Sequence, residues 1–353
     1  MNVPGPSTAD PADLPLDVLV SQTIGEDLTA KLTEVLPLLV HDLSDIDRRM
    51  QDVLGATYPR LTDAAKYAVS AGGKRVRPVL MAALHRALGA TDTGPIHSLA
   101  AAFQLIHTAT LVHDDVIDHA EMRRGRPSLP QAFGLPLAIV SGDYLFVRAF
   151  ELASEYPRSI IMRCGEACAD LVEGEVLQES GRFDLTAGRE HYFRVVERKT
   201  AAIVAAALGS VAEIQGSPVP VQDAAAGYGR SLGIAFQIRD DLLDVYGDSD
   251  ILGKPLYGDF REGNPTLLSL ETYEALDGTR RAEFERLFGL HRKSPGDLLR
   301  LRALVDASGA PARVADTARL WADRASRSLE ALPPSPFRIL LEHMAWGAAE
   351  RRF

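Results

Sequence analysis

The chain has 353 residues, 46% of them hydrophobic and 24% charged, which is enough to bury a sizeable core and ordinary for a globular protein. Its formal net charge of −10 excludes a general affinity for nucleic acid or an anionic membrane surface, so any anionic ligand must be met locally. The two cysteines, Cys164 and Cys168, stand one helical turn apart in an apolar segment and suit core packing; a disulfide framework is excluded, which fits a cytoplasmic protein.

Residues 1–22 are expected to form a flexible tail, with Pro4, Pro6, Pro11 and Pro15 among small polar residues. No basic start followed by an apolar core marks a signal peptide, and no stretch approaches the roughly 18 unbroken apolar residues of a membrane span. Residues 23–353 then form one domain. Residues 24–53 are helical in pattern, and Pro37 is expected to bend or divide that helix. A short helix from Thr62 stops at Gly72-Gly73. Lys74-Arg75-Val76-Arg77 follows, three cations in four positions, with Pro78 placed to open the next helix. A glycine pair lets backbone approach closely and guanidinium groups fork onto phosphate oxygens, so this is an anion site or a solvated loop.

The most informative stretch runs from Gln104 to Gly125. Apolar residues recur at helical spacing from Leu105 to Ile117 with no Gly or Pro between them, which predicts a buried helix over residues 95–120. At 100° per residue, Asp118 lies about 40° and His107 about 20° from Asp114, so the three share a face, with Asp115 beside it. Carboxylates crowded at the end of an apolar helix repel one another unless a cation intervenes, and an oxygen-only set suits Mg²⁺. Arg123-Arg124 follows within two turns, suited to a polyanion held near that ion. A second run, Asp240-Asp241-Leu-Leu-Asp244, preceded by Gln237, lies in another apolar helical stretch. Two such runs facing each other across a bundle would clamp one diphosphate through several ions.

The remaining elements are helical by pattern: Leu137–Ala153 with Gly142-Asp143-Tyr144, Arg158–Gln178, His191–Leu208 with Lys199-Thr200 at its midpoint, and Val219–Val245. Glu173, Glu175 and Gln178 are either supporting groups or a solvated face. Residues 247–265 form a glycine-studded loop long enough for a lid, carrying Lys254, Asp259, Arg261 and Glu262. Four or five amphipathic segments complete the chain, divided at Gly278, Ser294-Pro-Gly, Gly309-Ala-Pro and Pro333-Pro334. Strand-like alternation is absent, and the fold class is all-α.

Taken together, Gly72–Pro78, Asp114–Asp118 with Arg123-Arg124-Gly, Gly142-Asp-Tyr144, Lys199-Thr200, Gln237 and Asp240–Asp244 resemble, in order, the trans-prenyltransferase (polyprenyl diphosphate synthase) family. The resemblance covers residues 60–270 and implies a single large helical bundle of the isoprenoid synthase type around a central pocket. It implies that Lys74, Arg77, His107 and Arg124 bind the diphosphate of isopentenyl diphosphate. Arg123, Lys199, Thr200, Gln237 and Lys254 would contact the allylic diphosphate. Asp114, Asp115, Asp118, Asp240, Asp241 and Asp244 would hold Mg²⁺, three ions with substrate bound, with Asp114, Asp118, Asp240 and Lys199 at the centre of the chemistry. A homodimer is the expected assembly, and Arg351-Arg352 resembles a basic tail that closes over the site in some relatives. One departure stands out: relatives usually carry a lysine where Asn264 stands, so a cation is expected to be missing from the lid.

Two other functions fit the same motifs, a metal-dependent terpene cyclase and a subunit of a heteromeric synthase. The basic group at Lys74–Arg77 favours an enzyme with a second, diphosphate-bearing substrate, and all six aspartates favour an active chain. Ala109 and Thr110, the fifth and fourth residues before Asp114, are small, so the upper pocket is expected to be open and the product to have twenty carbons or more. Phe103 is a candidate floor, with Phe146 and Phe150 as others.

Overall fold

The computed structural model describes residues 26–71, 73, 75–249 and 255–351, with side chains from residue 35 onward. The expected tail, Lys74 and Lys254 lie outside the described residues. The chain divides into two compact units that alternate along the sequence. One comprises the described residues up to Cys164 with Ala207–Gln222 and Leu332–Leu341; the other comprises Gly165–Ala206, Asp223–Ala331 and the chain from Glu342.

In the first unit, helix α1 (Glu26–Asp52) runs undivided through Pro37, where the sequence suggests a bend or a division. Burial explains it. Val35, Leu39, Leu43, Ile46 and Met50 fall at three- and four-residue spacing and are at most 2% exposed. Five such side chains at roughly 1.5–3 kcal/mol each outweigh the ~3 kcal/mol that an interior proline costs a helix. Helix α2 (Pro59–Val69) starts three residues earlier than the sequence suggested, on Pro59, whose missing N–H costs nothing at a first helical position. Helix α3 (Val76–Ala87) carries Pro78 in its first turn.

Helix α4 (Gly94–Ile117) is the long apolar helix expected there, and residues around its whole circumference are buried between Ile96 and Asp115. It ends one residue before Asp118, whose N–H bonds the Asp114 carbonyl. The chain then reverses through a feature the sequence did not reveal. Two-residue strands β1 (Met122–Arg123) and β2 (Arg126–Pro127) pair antiparallel, Arg123 opposite Arg126. The two linking residues, Arg124 and Gly125, both have positive φ, 52° and 75°, as a tight hairpin turn of this hand demands. The pairing is too short to show as alternation. Helices α5 (Leu129–Phe133) and α6 (Leu135–Ala153) follow, α6 packed along α4.

Helix α7 (Arg158–Ser180) carries the chain into the second unit. There α8 (Gly188–Val196) passes into one turn of π-helix, Glu197–Ala201, before α9 (Ala202–Ile214) resumes the regular period. Helix α10 (Val219–Tyr246) bears the second aspartate run, and α11 (Gly258–Glu262) is a short helix within the expected lid. Helices α12 (Leu267–Ala275), α13 (Gly278–Phe288), α14 (Pro295–Ser308), α15 (Ala310–Ser328) and α16 (Pro336–Glu350) complete the chain. Their ends match the sequence breaks for visible reasons. Ser294 and Asp297 form a reciprocal capping box at the start of α14, and Gly309 closes it at φ 68°. The core of this unit gathers Tyr192, Ile238, Leu242, Phe260, Phe284 and Phe288.

Candidate active site

In the first unit, α4 delivers the first aspartate run at its C-terminal end. Asp115 is buried, Asp114 half-buried and Asp118 exposed. The hairpin folds Arg123 back onto Asp115, with Nε at 2.8 Å and a terminal nitrogen at 2.6 Å from the same carboxylate oxygen. His113 lies against α6, where Gly142 makes room: a Cβ there would sit 2.2 Å from its Nε2. The turn residue Arg124 lies against the loop before α3. A Cβ at Gly73, already at φ 126°, would fall 2.2 Å from an Arg124 terminal nitrogen. The backbone angle is what requires the glycine, and the Arg124 guanidinium packs over it.

Around this contact the electrostatics favour an anion. Burial and then the charge of Arg124 push the Arg77 guanidinium down to about 10, and its buried Nε has no hydrogen-bond partner. It remains a cation near neutrality by about three pH units. Arg124 is lowered by burial and then by Arg123, Arg75 and Arg126. His107 is held well below its ordinary value by burial, with Arg77 and Arg124 the leading charges, and is neutral. Arg75 has a carboxylate partner, Asp47 at 3.2 Å. Cations crowded and desolvated in this way are relieved by a bound anion such as a diphosphate. Sequence reasoning expected Arg77, His107 and Arg124 to act together, and the structure brings them together.

In the second unit, the π-turn presents Lys199 and Thr200. Such turns inside helices recur at functional sites. Two glycines admit it: a Cβ at Gly174 on α7 would lie 2.7 Å from the Lys199 backbone nitrogen, and one at Gly233 on α10 would lie 2.7 Å from the Ala201 Cα. Lys199 Nζ pairs with Glu175 at 2.5 Å, giving that glutamate a contact the sequence had left open. Thr200 donates to Gln237 Oε1 at 3.1 Å, and Gln237 Nε2 donates to Asp241 Oδ1 at 2.8 Å. Tyr192, which sequence reasoning missed, donates its hydroxyl to Asp241 Oδ2 at 2.6 Å.

Each aspartate of the second run meets a different environment. Asp241 is buried, and burial raises its carboxyl above the ordinary range despite those two donors. Asp244 is buried and accepts the N–H groups of Gly258 and Asp259 at the start of α11, both at 3.1 Å. Asp240 pairs with Arg351 at 2.9 Å, while the Arg351 guanidinium stacks 3.9 Å from the centroid of Phe236. The terminal arginine singled out from the sequence thus reaches the second run, and Arg352 lies outside the described residues.

Asn264, where a lysine was expected, is buried. It donates to Glu262 at 2.9 Å and Asp259 at 3.3 Å, and its N–H bonds the Asp259 carbonyl. Besides leaving a lysine's charge out of the lid, the Asn264 amide ties the end of α11 by donating to two carboxylates.

Among the described residues, no three Asp, Glu, His or Cys side chains gather closely enough to hold a metal ion unaided. Oxygen-only carboxylate donors nonetheless fit Mg²⁺, which takes one or two carboxylates and completes its shell with water and substrate phosphate. No helix among the described residues is long and apolar enough to cross a membrane. The first and second runs belong to different units.

Residues 58–305 match the family model described as polyprenyl synthetase. The octaprenyl diphosphate synthase of Escherichia coli is 33% identical over 326 residues, spanning 91% of this chain and 99% of that protein. A short chain isoprenyl diphosphate synthase of Methanothermobacter thermautotrophicus is 36% identical over 266 residues, 73% of this chain and 80% of that one. Among solved structures, a polyprenyl synthase from Caulobacter crescentus, complexed with calcium and isoprenyl diphosphate, superposes with a TM-score of 0.85 at 36% identity. It covers 90% of this chain and 97% of its own.

Proposed function

The chain belongs to the polyprenyl synthetase family, an all-α family of prenyl-transferring enzymes, and from that premise we propose how its own residues divide the work. The reaction is the condensation of isopentenyl diphosphate with an allylic diphosphate. Asp114, Asp115, Asp118, Asp240, Asp241 and Asp244 hold the divalent ions, Mg²⁺ in number about three with substrate present, as the resemblance implies. When bound, Mg²⁺ neutralises the allylic diphosphate and so favours its departure.

The chain's own side chains do the rest. Arg123, Lys199, Thr200, Gln237 and Lys254 hold the allylic diphosphate, with Asp115 and Glu175 keeping Arg123 and Lys199 in place before it arrives. Lys74, Arg77, His107 and Arg124 hold isopentenyl diphosphate. The observation that carries this assignment is the crowding of cations around Gly73, where half-buried Arg77 keeps a buried Nε without a hydrogen-bond partner and the exposed Arg124 lies against the loop, a crowding that a second anionic substrate relieves. Water must be kept from the allylic cation until the double bond attacks, and the apolar faces flanking the aspartate runs serve that end. Loss of a proton restores an alkene, and each cycle adds five carbons in the trans configuration. The product has twenty carbons or more, in keeping with the octaprenyl relative.

A second copy of this chain is the proposed partner. Helix α6 leaves Leu135, Ile139, Val140 and Val147 exposed, an apolar face for another protomer. A cytoplasmic setting is proposed, because two cysteines one helical turn apart give no disulfide framework.

Turnover is expected to require isopentenyl diphosphate and a divalent ion. Asp114→Ala and Asp240→Ala should each lower kcat by at least about 10²-fold, the scale of losing a principal electrostatic contact in the transition state. Near-normal turnover in EDTA, or in either variant, would sink this division of roles, and turnover without isopentenyl diphosphate would favour a cyclase.

A further inference from the structure

The second aspartate run contains one member whose carboxylate is gripped from both sides by neutral side chains. Asp241 is 5% exposed, and its two oxygens are each met by a different donor: the Tyr192 hydroxyl at 2.6 Å and the Gln237 amide at 2.8 Å. Gln237 is itself fixed, because its carbonyl oxygen accepts from Thr200 at 3.1 Å. Tyr192 is equally buried, its ring edge-on to Phe193 at 5.4 Å and its body part of the core with Ile238, Leu242 and Phe260. A phenol in such a setting has one freedom, rotation of its hydroxyl, and here that hydroxyl is aimed at a carboxylate. The two neighbouring aspartates differ. Asp240 meets a guanidinium and Asp244 meets backbone N–H groups.

Each oxygen of an ionised carboxylate can accept more than one bond. The Tyr192 and Gln237 donors therefore fix the plane and rotamer of Asp241 while leaving acceptor capacity for a cation. Hydrogen bonds of this kind to a ligating carboxylate commonly change metal affinity 10- to 100-fold. We propose that Tyr192 is a positioning residue for metal binding: its hydroxyl, opposite the Gln237 amide, sets the Asp241 carboxylate in the orientation in which the second aspartate run receives its divalent ion. This rests on the reading of Asp240–Asp244 as a metal-holding run. Tyr192 lies well before Lys199-Thr200 on α8 and belongs to none of the sequence motifs, so its contact arises only when α8 packs beside α10.

The test uses Tyr192→Phe, which keeps the ring and its packing and removes only the hydroxyl. Binding of Mn²⁺ is followed by electron paramagnetic resonance on the full chain with inorganic diphosphate present, so no turnover is needed. Tyr192→Phe should weaken Mn²⁺ binding about tenfold. The same variant should raise the Mg²⁺ concentration for half-maximal activity while leaving KM for isopentenyl diphosphate unchanged. In an Asp241→Asn background the Tyr192→Phe change should cause little additional loss, since the two act through one carboxylate. A lowered Tm with unchanged Mn²⁺ affinity would show a core tyrosine and nothing more, and would overturn the proposal. So would full additivity in the double variant. Asp240→Ala is the separate control: if it leaves Mn²⁺ binding intact, the metal reading of the run fails, whatever Tyr192 does.

Discussion

His107 lies among arginines and is kept uncharged. Burial first, then the charges of Arg77 and Arg124, hold its imidazole well below the ordinary histidine value. In the unfolded chain it gains a proton near pH 6.5, whereas the folded chain resists that proton until much lower pH. Below about pH 6.5 the unfolded state therefore binds more protons, and stability falls as pH falls. Above it, both states are neutral there and the residue adds no pH dependence. Without substrate, His107→Gln should lose less Tm than the wild type between about pH 7 and pH 5. His85, His97 and His343 are also lowered by burial but remain in both proteins, so the difference isolates His107. Parallel falls would refute the account. At this scale the sequence was legible in kind more than in partnership. Spacing put His107 on the Asp114 face, but that Arg124 lies against Gly73, or that Tyr192 reaches Asp241, depends on residues far apart in the chain.

The π-turn at Glu197–Ala201 is an element that only its neighbours explain. An extra residue per turn widens the helix locally and swings Lys199 and Thr200 relative to a regular α-helix. The turn is lodged where α7 and α10 each present a glycine. Gly174→Ala would place a methyl 2.7 Å from the Lys199 backbone nitrogen, and backbone cannot rotate aside as a side-chain tip can. Overpacking of this kind costs about 1–3 kcal/mol. The variant should show a lower Tm and a KM for the allylic substrate raised by about tenfold or more, with KM for isopentenyl diphosphate little changed. Equal effects on both substrates would mean that the glycine serves packing alone. Helical periodicity found α4 and α10 because their faces are buried over many turns. It missed the hairpin at Met122–Pro127 and the π-turn because each is only a few residues long. Pro37 does not divide its helix, since the local cost of a proline is outweighed by a buried stripe that a rule about single residues does not weigh.

For the whole molecule, family membership leaves the exact product length undecided, since octaprenyl and short-chain synthases are both relatives. Length must follow from the walls against which the chain grows, and on the proposed reading α4 is one of them. Its Asp114 face is exposed at Asp118, half-buried at Asp114, Leu111 and His107, and without accessible surface at Phe103. Of the small residues expected to line the upper pocket, Ala109 is fully buried, and Thr110, also buried, donates its hydroxyl to the His107 carbonyl. On α6, Phe146 stacks on His113 with centroids 6.0 Å apart, which sets it near the aspartates and leaves Phe103 as the deeper aromatic. The wild type should release mainly a diphosphate longer than fifteen carbons. Ala109→Phe should shorten it, at about 1–3 kcal/mol for overpacking. Phe103→Ala should lengthen it if Phe103 is the floor, at about 3–5 kcal/mol for the cavity. Chromatography of products from labelled isopentenyl diphosphate, at a temperature where all three proteins are folded, separates a change of length from a loss of enzyme. A wild type that stops at fifteen carbons would defeat this account of the pocket, and an unchanged product from Phe103→Ala would move the floor to another helix.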